Sequence, residues 1–336
     1  MPLSLDGLRQ KLNVPCLAAG RSDFSESKFE VAGVRKFGSD IPAEPTDVFI
    51  LGSLSKAVTA TLIAILIKDG LFTWDSTLSE LVLPLLPNMH SAHRNTTLKM
   101  VASHYSGISI RWELRWSFLR KIWDSTMTPQ EGRWLGVEKA LTEAPKNTPG
   151  TNFAYDNTNY YILAVMVDRL YKRPWEEVIQ ERLFKPLEMQ TAGFGTAPES
   201  SEDSIDNPWP HLRALLPFTK PIPTSWLSLR YRGWPLAGAP AGSIHVSMQD
   251  YNKFLRLHVN GGNGTTPLGL AAEDFRFLHA PFKADANGEA ATRRAGGFGQ
   301  KSMTRRMRTH CITLGRIRSM WHKRGWISAM VEGIHT

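Results

Sequence analysis

The longest regular hydrophobic stretch of the chain runs from Ala57 to Ile67 and ends at Asp69 and Gly70. Nearly every position in it is apolar, which predicts a helix that is buried on all sides. A short apolar run, ending in a glycine, comes just before it. Between these two patterns stands the polar sequence Ser53-Leu54-Ser55-Lys56, an S-x-x-K pattern.

Shorter patterns predict the elements around this helix. The N-terminal residues 1–16 have the alternation of an amphipathic helix, and the residues after them favour two short strands joined by a polar turn. The strands are predicted at Cys16–Ala19 and Lys28–Arg35, and further helices at Thr97–Ser103, Tyr160–Leu170, Trp175–Phe184 and Met248–Val259.

The S-x-x-K pattern has a chemical interpretation. Residues three apart on the first turn of a helix share a face, so Ser53 and Lys56 should lie together. The helix N-terminus is electropositive, and burial pushes a lysine toward its neutral, proton-accepting form. These are the requirements of an activated serine nucleophile. On an ordinary helix the same pattern is a capping serine and a surface lysine, so it needs support from other motifs.

Two further motifs supply that support. GSLSK at 52–56 is followed by FAYDNTNYY at 153–161 and GAPAGSIHVSMQDYNKF at 238–254. Together they resemble the serine β-lactamase-like family, which includes class C β-lactamases, DD-peptidases, esterases and fungal transesterases. The phrase LKMVASHYSGI is also similar to a family block, and the likeness runs from residue 5 to about 262.

The resemblance implies roles for four side chains. Ser53 matches the acyl-accepting nucleophile and Lys56 its proton-relay partner. Tyr155 matches the tyrosine of the family's Y-x-N motif, which acts as general base and then as acid. Asn157 would bind the acyl side of the substrate and help to place Lys56. The alternative is that Tyr155 is a packed tyrosine and that Asn157 or Thr158 caps a helix.

The resemblance also implies the architecture. We expect an α/β (α+β) fold of the β-lactamase/transpeptidase type, with an antiparallel sheet from the N- and C-terminal segments, flanking helices and a mostly helical insert. The β-lactamase-like domain would span residues 1–300. Its sheet lobe would comprise about 1–74 and 236–300, and its helical lobe about 75–235. Residues 301–336 are expected to be an atypical basic tail rather than a native family segment.

Charge and composition exclude several classes of protein. The net charge of +9 comes mostly from the tail, where eight lysines and arginines follow residue 300 and Glu332 is the one acid; the rest carries about +2. Aromatic residues do not alternate with the basic residues of the tail, and the tail contains no recognisable nucleic-acid-binding module. Both points argue against nucleic-acid binding. Cys16 and Cys311 are far apart, so neither a disulfide framework nor a metal site is predicted, and no cofactor is expected.

The apolar runs indicate the cellular location. The N-terminus lacks the layout of a signal peptide, and the longest apolar run, Ala60–Ile67, is too short to span a bilayer. We therefore expect a cytoplasmic protein with no membrane partner. The oligomeric state is left open.

Other residues have structural interpretations. His104 and His245 lie inside family-like phrases without matching a catalytic position, so both are expected to be structural. Four tryptophans in residues 111–145 are typical of a core or of a cleft wall: Trp112, Trp116, Trp123 and Trp134.

These observations favour a serine hydrolase or acyltransferase that acts on a small-molecule ester, thioester or amide through a Ser53 acyl-enzyme. An esterase or transesterase of secondary metabolism fits the expected location. The alternative is a catalytically impaired relative, because the family's K-T-G or H-T-G strand motif is missing. That motif should fall near 310–316, where the chain reads THCITLGRIRSMW from Thr309.

A frame change would explain the missing motif. Permitted codons for Thr309–Trp321, read from the third base, encode ALHHTGSNTKYV, which contains H-T-G-S-N at the expected place. We predict that the chain leaves the family's reading frame between about Gly299 and Thr309. Sequencing the transcript across codons 295–312 tests this hypothesis. An intact frame with no downstream H-T-G would contradict it.

Overall fold

A computed structural model describes residues 4–22, 25–109, 127–195, 205–209, 211–213, 219–221, 236–261, 266–284, 290–293, 316–318 and 327–332. The α-helices within these ranges are α1 (Leu5–Leu12), α2 (Ser55–Lys68), α3 (Leu78–Leu81), α4 (Leu98–Ala102), α5 (Pro129–Thr142), α6 (Thr158–Tyr171), α7 (Trp175–Ile179), α8 (Met248–Asn260) and α9 (Ala272–His279). Shorter turns of 3₁₀-helix lie at Gly52–Leu54, Leu83–Leu85, Ser91–His93 and Leu236–Gly238, and a π-helical turn at Gln180–Phe184 continues α7.

The strands within the same ranges form four sheets. They are β1 (Cys16–Ser22), β2 (Ser27–Gly33), β3 (Val48–Ile50), β4 (Gly193–Phe194), β5 (His211–Arg213), β6 (Thr219–Pro221), β7 (Ile244–Ser247), β8 (Pro281–Ala284), β9 (Ala290–Arg293), β10 (Arg316–Arg318) and β11 (Ile327–Glu332). The largest sheet has the order β10-β11-β1-β2, a second has the order β3-β7-β4, and β5-β6 and β8-β9 are two-stranded.

The largest sheet joins the two ends of the chain. Strand β1 lies between β2 and β11 and is antiparallel to both, so Ala19 faces Glu30 on one side and Met330 on the other. Helix α8 packs against β1 so closely that a Cβ at Gly20 would lie 2.9 Å from Sδ of Met248. The predicted antiparallel sheet of N- and C-terminal segments, flanked by helices, is therefore confirmed.

Helix α2 is the centre of the core. Every residue from Ser55 to Leu66 is buried, as its continuous apolar pattern predicts. Its two threonines donate to main-chain oxygens: Thr61 to the carbonyl of Ala57 and Thr59 to that of Pro240. A helix held on all sides in this way gives a rigid base to the residues at its N-terminus.

Some predicted boundaries change. Ser53 lies on the 3₁₀ turn Gly52–Leu54 immediately before α2, rather than on the first turn of the α-helix itself. Strand β2 ends at Gly33 and not at Arg35, because Gly33 has φ +100° and a Cβ there would lie 2.1 Å from the carbonyl oxygen of Pro15.

Between these sheet elements lies a mostly helical part, which contains α3 to α7. The division into a sheet lobe (1–74 and 236–300) and a helical lobe (75–235), and the separation of 301–336 as a tail, stay predictions. Within that last range the backbones of β10 and β11 pair with each other, and β11 pairs with β1.

A buried ion-pair cluster joins three helices of the helical part. Arg133 on α5 is fully buried and donates to both carboxylate oxygens of Asp168 on α6, at 3.0–3.2 Å. It also donates to Glu176 on α7 at 2.6 Å. Asp168 in turn accepts the backbone N–H of Trp175 at 2.6 Å, which attaches the start of α7 to α6. Each charge is paired, as burial requires.

We expect Arg133→Met to lower the free energy of unfolding by about 3–5 kcal/mol, because it leaves the buried Asp168 carboxylate without its cation. Urea unfolding measures the change. The control is Arg173→Met, which removes the partner of the exposed Glu181 and should cost about 0–1 kcal/mol. Equal losses in the two variants would contradict this assignment.

Candidate active site

The candidate nucleophile lies at the junction between a strand and the buried helix. Strand β3 ends at Ile50, the chain turns through Gly52 with φ +54°, and the side chain of Ser53 is exposed. Behind it, Lys56 on the first turn of α2 is fully buried. The serine hydroxyl is therefore open to a substrate, whereas the amine beside it is shielded from solvent.

The amine of Lys56 is held by three acceptors. Its Nζ lies 2.6 Å from the carbonyl oxygen of Ala241, 2.8 Å from Oδ1 of Asn157 and 3.3 Å from Oγ of Ser53. An ammonium has three hydrogens to donate, so this set satisfies its charged form. If the amine loses a proton, its lone pair becomes an acceptor at the same distance from Ser53.

Tyr155 approaches Ser53 from the other side. Its hydroxyl lies 2.6 Å from Oγ of Ser53, and either oxygen can be the donor. Nζ of Lys56 lies 4.9 Å from the centre of the Tyr155 ring, within the range of a cation–π interaction. The proton of Ser53 thus has two neighbouring groups that can take it, the neutral amine of Lys56 and the oxygen of Tyr155, provided that Tyr155 passes its own proton on.

Burial favours the neutral form of Lys56, which is the form able to accept a proton. Loss of water around the amine lowers the pKa of Lys56, and the negative charge of a Tyr155 phenolate or the Asp156 carboxylate opposes this. Desolvation is the largest of these effects. The direction agrees with the sequence-based expectation that burial moves this lysine toward its neutral form.

Asn157 contacts Lys56 and does not cap helix α6. It stands at the N-cap position, yet its side chain makes no capping hydrogen bond, and Oδ1 accepts from Lys56 instead. The N–H of Thr158 is satisfied by Oδ1 of Asp156 at 2.8 Å. The alternative in which Asn157 or Thr158 caps the helix is therefore wrong, because Asp156 has this function.

Two participants of this site were not predicted from the sequence. The carbonyl of Ala241 is a backbone group, and the GAPAG phrase did not point to a main-chain acceptor. Ser55 is buried and its Oγ accepts the N–H of Ile244 at 3.1 Å, which joins the start of α2 to strand β7. The signal for Ser55 is its place inside the S-x-x-K pattern, one residue before the lysine.

Of the two histidines that were expected to be structural, His245 packs against strand β4 and His104 packs against Tyr155. His245 on β7 contacts β4, with Nδ1 3.2 Å from the carbonyl oxygen of Gly195 and its ring over Gly193. His104 is buried and its ring packs 4.5 Å from that of Tyr155.

Several predicted features lie outside the described residues. They include three of the four tryptophans (Trp112, Trp116 and Trp123) and the stretch 310–315 of the expected K-T-G region. The fourth, Trp134 on α5, is half-buried, packs against the core and has the guanidinium of Arg169 4.9 Å from its ring.

Comparison of the sequence with models of known protein families identifies the family of this chain. The model described as Beta-lactamase matches residues 8–331, nearly the whole chain. The chain belongs to the beta-lactamase family. The relatives found in this family are serine hydrolases, and the resemblance inferred from the three motifs is confirmed.

Curated relatives of this beta-lactamase family protein are distant. Penicillin-binding protein 4 of Amycolatopsis lactamdurans is 25% identical over 270 residues, which cover 80% of this chain and 66% of that protein. The putative penicillin-binding protein PbpX of Bacillus subtilis (strain 168) is 29% identical over 154 residues, or 46% of this chain and 34% of that one. The chain spans between about a third and two thirds of the length of these relatives.

Solved structures agree on the fold of the beta-lactamase family. D-amino acid amidase from Ochrobactrum anthropi SV3, complexed with L-phenylalanine amide, superposes with a TM-score of 0.68 at 16% identity, covering 99% of this chain and 90% of that one. The penicillin-binding protein from Bacillus halodurans gives a TM-score of 0.68 at 16% identity, covering 99% and 96%. At this identity the likeness establishes the fold alone.

Two features are absent from the part of the chain that the structure describes. No cluster of three or more histidine, cysteine, aspartate or glutamate side chains there could hold a metal ion. None of the helices described is both long and apolar enough to cross a bilayer.

The lowered pKa of Lys56 predicts a pH dependence of stability. Between that lowered value and the ordinary value of 10.5, the unfolded chain binds a proton at this lysine that the folded chain does not. The unfolding free energy of the wild type should therefore rise with pH relative to that of Lys56→Met. Urea unfolding of both proteins at about pH 7 and about pH 9.5 measures this difference.

Lys11→Met, at an exposed position of α1, controls for the loss of a lysine charge and should show a smaller pH-dependent difference from the wild type. If Lys56→Met and the wild type change in parallel with pH, the assigned direction of the pKa shift is wrong.

Proposed function

We propose that this protein is a serine hydrolase or acyltransferase that acts on a small-molecule ester, thioester or amide through an acyl-enzyme on Ser53. One observation carries the proposal: Oγ of Ser53 lies 2.6 Å from the Tyr155 hydroxyl and 3.3 Å from Nζ of Lys56. A nucleophile within hydrogen-bond reach of a base, which a third group orients, is the general arrangement of covalent acyl transfer.

The first half-reaction forms the acyl-enzyme. Oγ of Ser53 attacks the carbonyl carbon of the substrate, and the serine proton moves to the oxygen of Tyr155 as Tyr155 passes its own proton to the neutral amine of Lys56. Lys56, whose Nζ lies 4.9 Å from the centre of the Tyr155 ring, holds that proton as an ammonium until it returns the proton to Tyr155. When the tetrahedral intermediate collapses, the bond to the leaving group breaks and Tyr155 returns the proton to that group.

The second half-reaction releases the acyl group. A water molecule or an alcohol gives up a proton to Tyr155 and attacks the ester carbon on Ser53, and the serine then regains its proton. Water gives hydrolysis and an alcohol gives acyl transfer. The residues are the same for both outcomes, so the acceptor is determined by access to the acyl-enzyme rather than by this chemistry.

Apolar surface near the site favours an ester with an apolar acyl or alcohol part. Phe153 and Tyr155 are 38% and 42% exposed, although aromatic side chains are usually buried. The ring of Phe153 packs edge-on against His104, which contacts Tyr155, so both exposed rings belong to one side of the site. A small molecule with a hydrophobic group would bury this surface.

A fluorophosphonate probe tests the proposal, because it phosphonylates an activated serine. We expect labelling of the wild type, detected by intact-protein mass spectrometry, and none at this site in Ser53→Ala. Tyr155→Phe should label about 10²–10⁴ times more slowly, since the base is lost. Ser91→Ala, which alters an exposed serine on another 3₁₀ turn, is the matched control and should label like the wild type.

Substrate class follows from the same set of variants. p-Nitrophenyl esters, an acyl thioester and an anilide, each with and without a primary alcohol, should give Ser53-dependent turnover and show whether the acyl group passes to water or to the alcohol.

Fluorophosphonate labelling in Ser53→Ala equal to that of the wild type would overturn the proposed nucleophile. No labelling in any variant would instead support the catalytically impaired alternative.

A further inference from the structure

His104 occupies an unusual backbone position just after helix α4. Its φ is +61°, in the left-handed region that few residues other than glycine adopt. The side chain is 2% exposed, although histidine is usually less buried. A strained backbone and a buried polar ring are both energetically unfavourable, and such features are typical of functional sites.

Two hydrogen bonds from the flanking residues of Tyr155 converge on His104. The N–H of Ala154 donates to the backbone carbonyl of His104 at 2.8 Å, and the N–H of Asp156 donates to its Nδ1 at 3.3 Å. Tyr155 lies between these two amides in the sequence. The chain on both sides of Tyr155 is thus attached to one residue, by its main chain and by its ring.

The imidazole ring also supports the tyrosine directly. Its centre lies 4.5 Å from that of the Tyr155 ring, with 35° between the planes, and 5.6 Å from that of Tyr160. Rings at this distance restrict each other by packing. The phenol of Tyr155 therefore has little freedom to tilt away from Ser53.

The hydrogen bonds determine the tautomer of His104. Because the N–H of Asp156 can only donate, Nδ1 must carry its lone pair and the ring proton must lie on Nε2. The side-chain amide of Asn159 is a second neighbour of Nδ1, at 3.4 Å. Burial, together with the positive charge of Lys56, lowers the pKa of His104 to about 3, so the acceptor persists at neutral pH.

We propose that His104 is a positioning residue that holds the hydroxyl of Tyr155 beside Ser53 through these two hydrogen bonds and the ring contact. The catalytic consequence of this assignment rests on the proposed function. The positioning itself rests on the two hydrogen bonds and the ring contact. Histidine suits the position because it combines an aromatic face with an acceptor next to Cγ.

Two substitutions separate the acceptor from the ring. His104→Phe keeps an aromatic ring and removes the acceptor for the Asp156 N–H. His104→Asn keeps an acceptor one bond from Cγ and tolerates a positive φ, although it loses the ring. We expect His104→Phe to slow fluorophosphonate labelling of Ser53 by up to about 10²-fold, the effect of a small misplacement. His104→Asn should recover part of this loss.

A double-mutant cycle distinguishes positioning from a general structural role. If His104 acts through Tyr155, then His104→Phe should cost much less in a Tyr155→Phe background than in the wild type. Equal costs in the two backgrounds would overturn the proposal, because they would show that His104 acts on the rate independently of Tyr155.

Hydrogen exchange followed by mass spectrometry tests the attachment without any activity. The amide hydrogen of Asp156, whose acceptor is the imidazole, should exchange faster in His104→Phe than in the wild type, and His104→Asn should restore its protection. The amide hydrogen of Ala154, whose acceptor is the main-chain carbonyl of residue 104, should change less. Unchanged exchange in His104→Phe would overturn the proposal. If the wild type is not labelled at Ser53, the proposed function fails, and the exchange measurement alone then decides the role of His104.

Discussion

A buried amine must place each of its hydrogens on an acceptor, and Lys56 does so with three separate segments of the chain. The segments contribute Ser53 from the turn before α2, Asn157 from the start of α6 and the carbonyl of Ala241 from the approach to β7. The site therefore exists only when all three segments are in place. The side chain of Lys56 thus contacts both the helical part of the molecule, at Asn157, and the segment that leads into the sheet β3-β7-β4, at Ala241. The chemistry of the site depends on these contacts.

The same interaction explains why the surrounding structure is so well packed. Desolvating an amine is costly, and it is tolerated because the apolar faces of α2 bury much more surface than this one group removes from water. Ser55 fixes the helix to β7 with its own hydrogen bond. Rigidity at the base of the site and exposure at Ser53 are two results of one arrangement, in which α2 is buried from Ser55 to Leu66 and the 3₁₀ turn before it exposes Ser53.

Part of this arrangement follows from the sequence, and the reason differs from residue to residue. The spacing of Ser53 and Lys56 is local, so helical geometry alone predicts their contact. Tyr155 and Asn157 lie about a hundred residues away, and only the family resemblance could bring them to the site. The carbonyl of Ala241 carries no side-chain signal at all. Capping by Asp156 rather than Asn157 could not be predicted, because both residue types favour that position and a tertiary contact to Lys56 decides between them.

The pairing of β1 with β11 has a consequence for how the molecule folds. Leu17 faces Glu332, so one ladder of the largest sheet connects the start of the described chain with its last strand. Contacts between such distant residues are formed late and slowly, since the intervening chain must first be ordered. During synthesis on the ribosome, β1 and β2 would form a hairpin in which the outer edge of β1 stays unpaired while residues 53–241 assemble the catalytic groups. The edge of β1 is then the last surface of this sheet to be closed, and until that moment it is exposed to pairing with other chains.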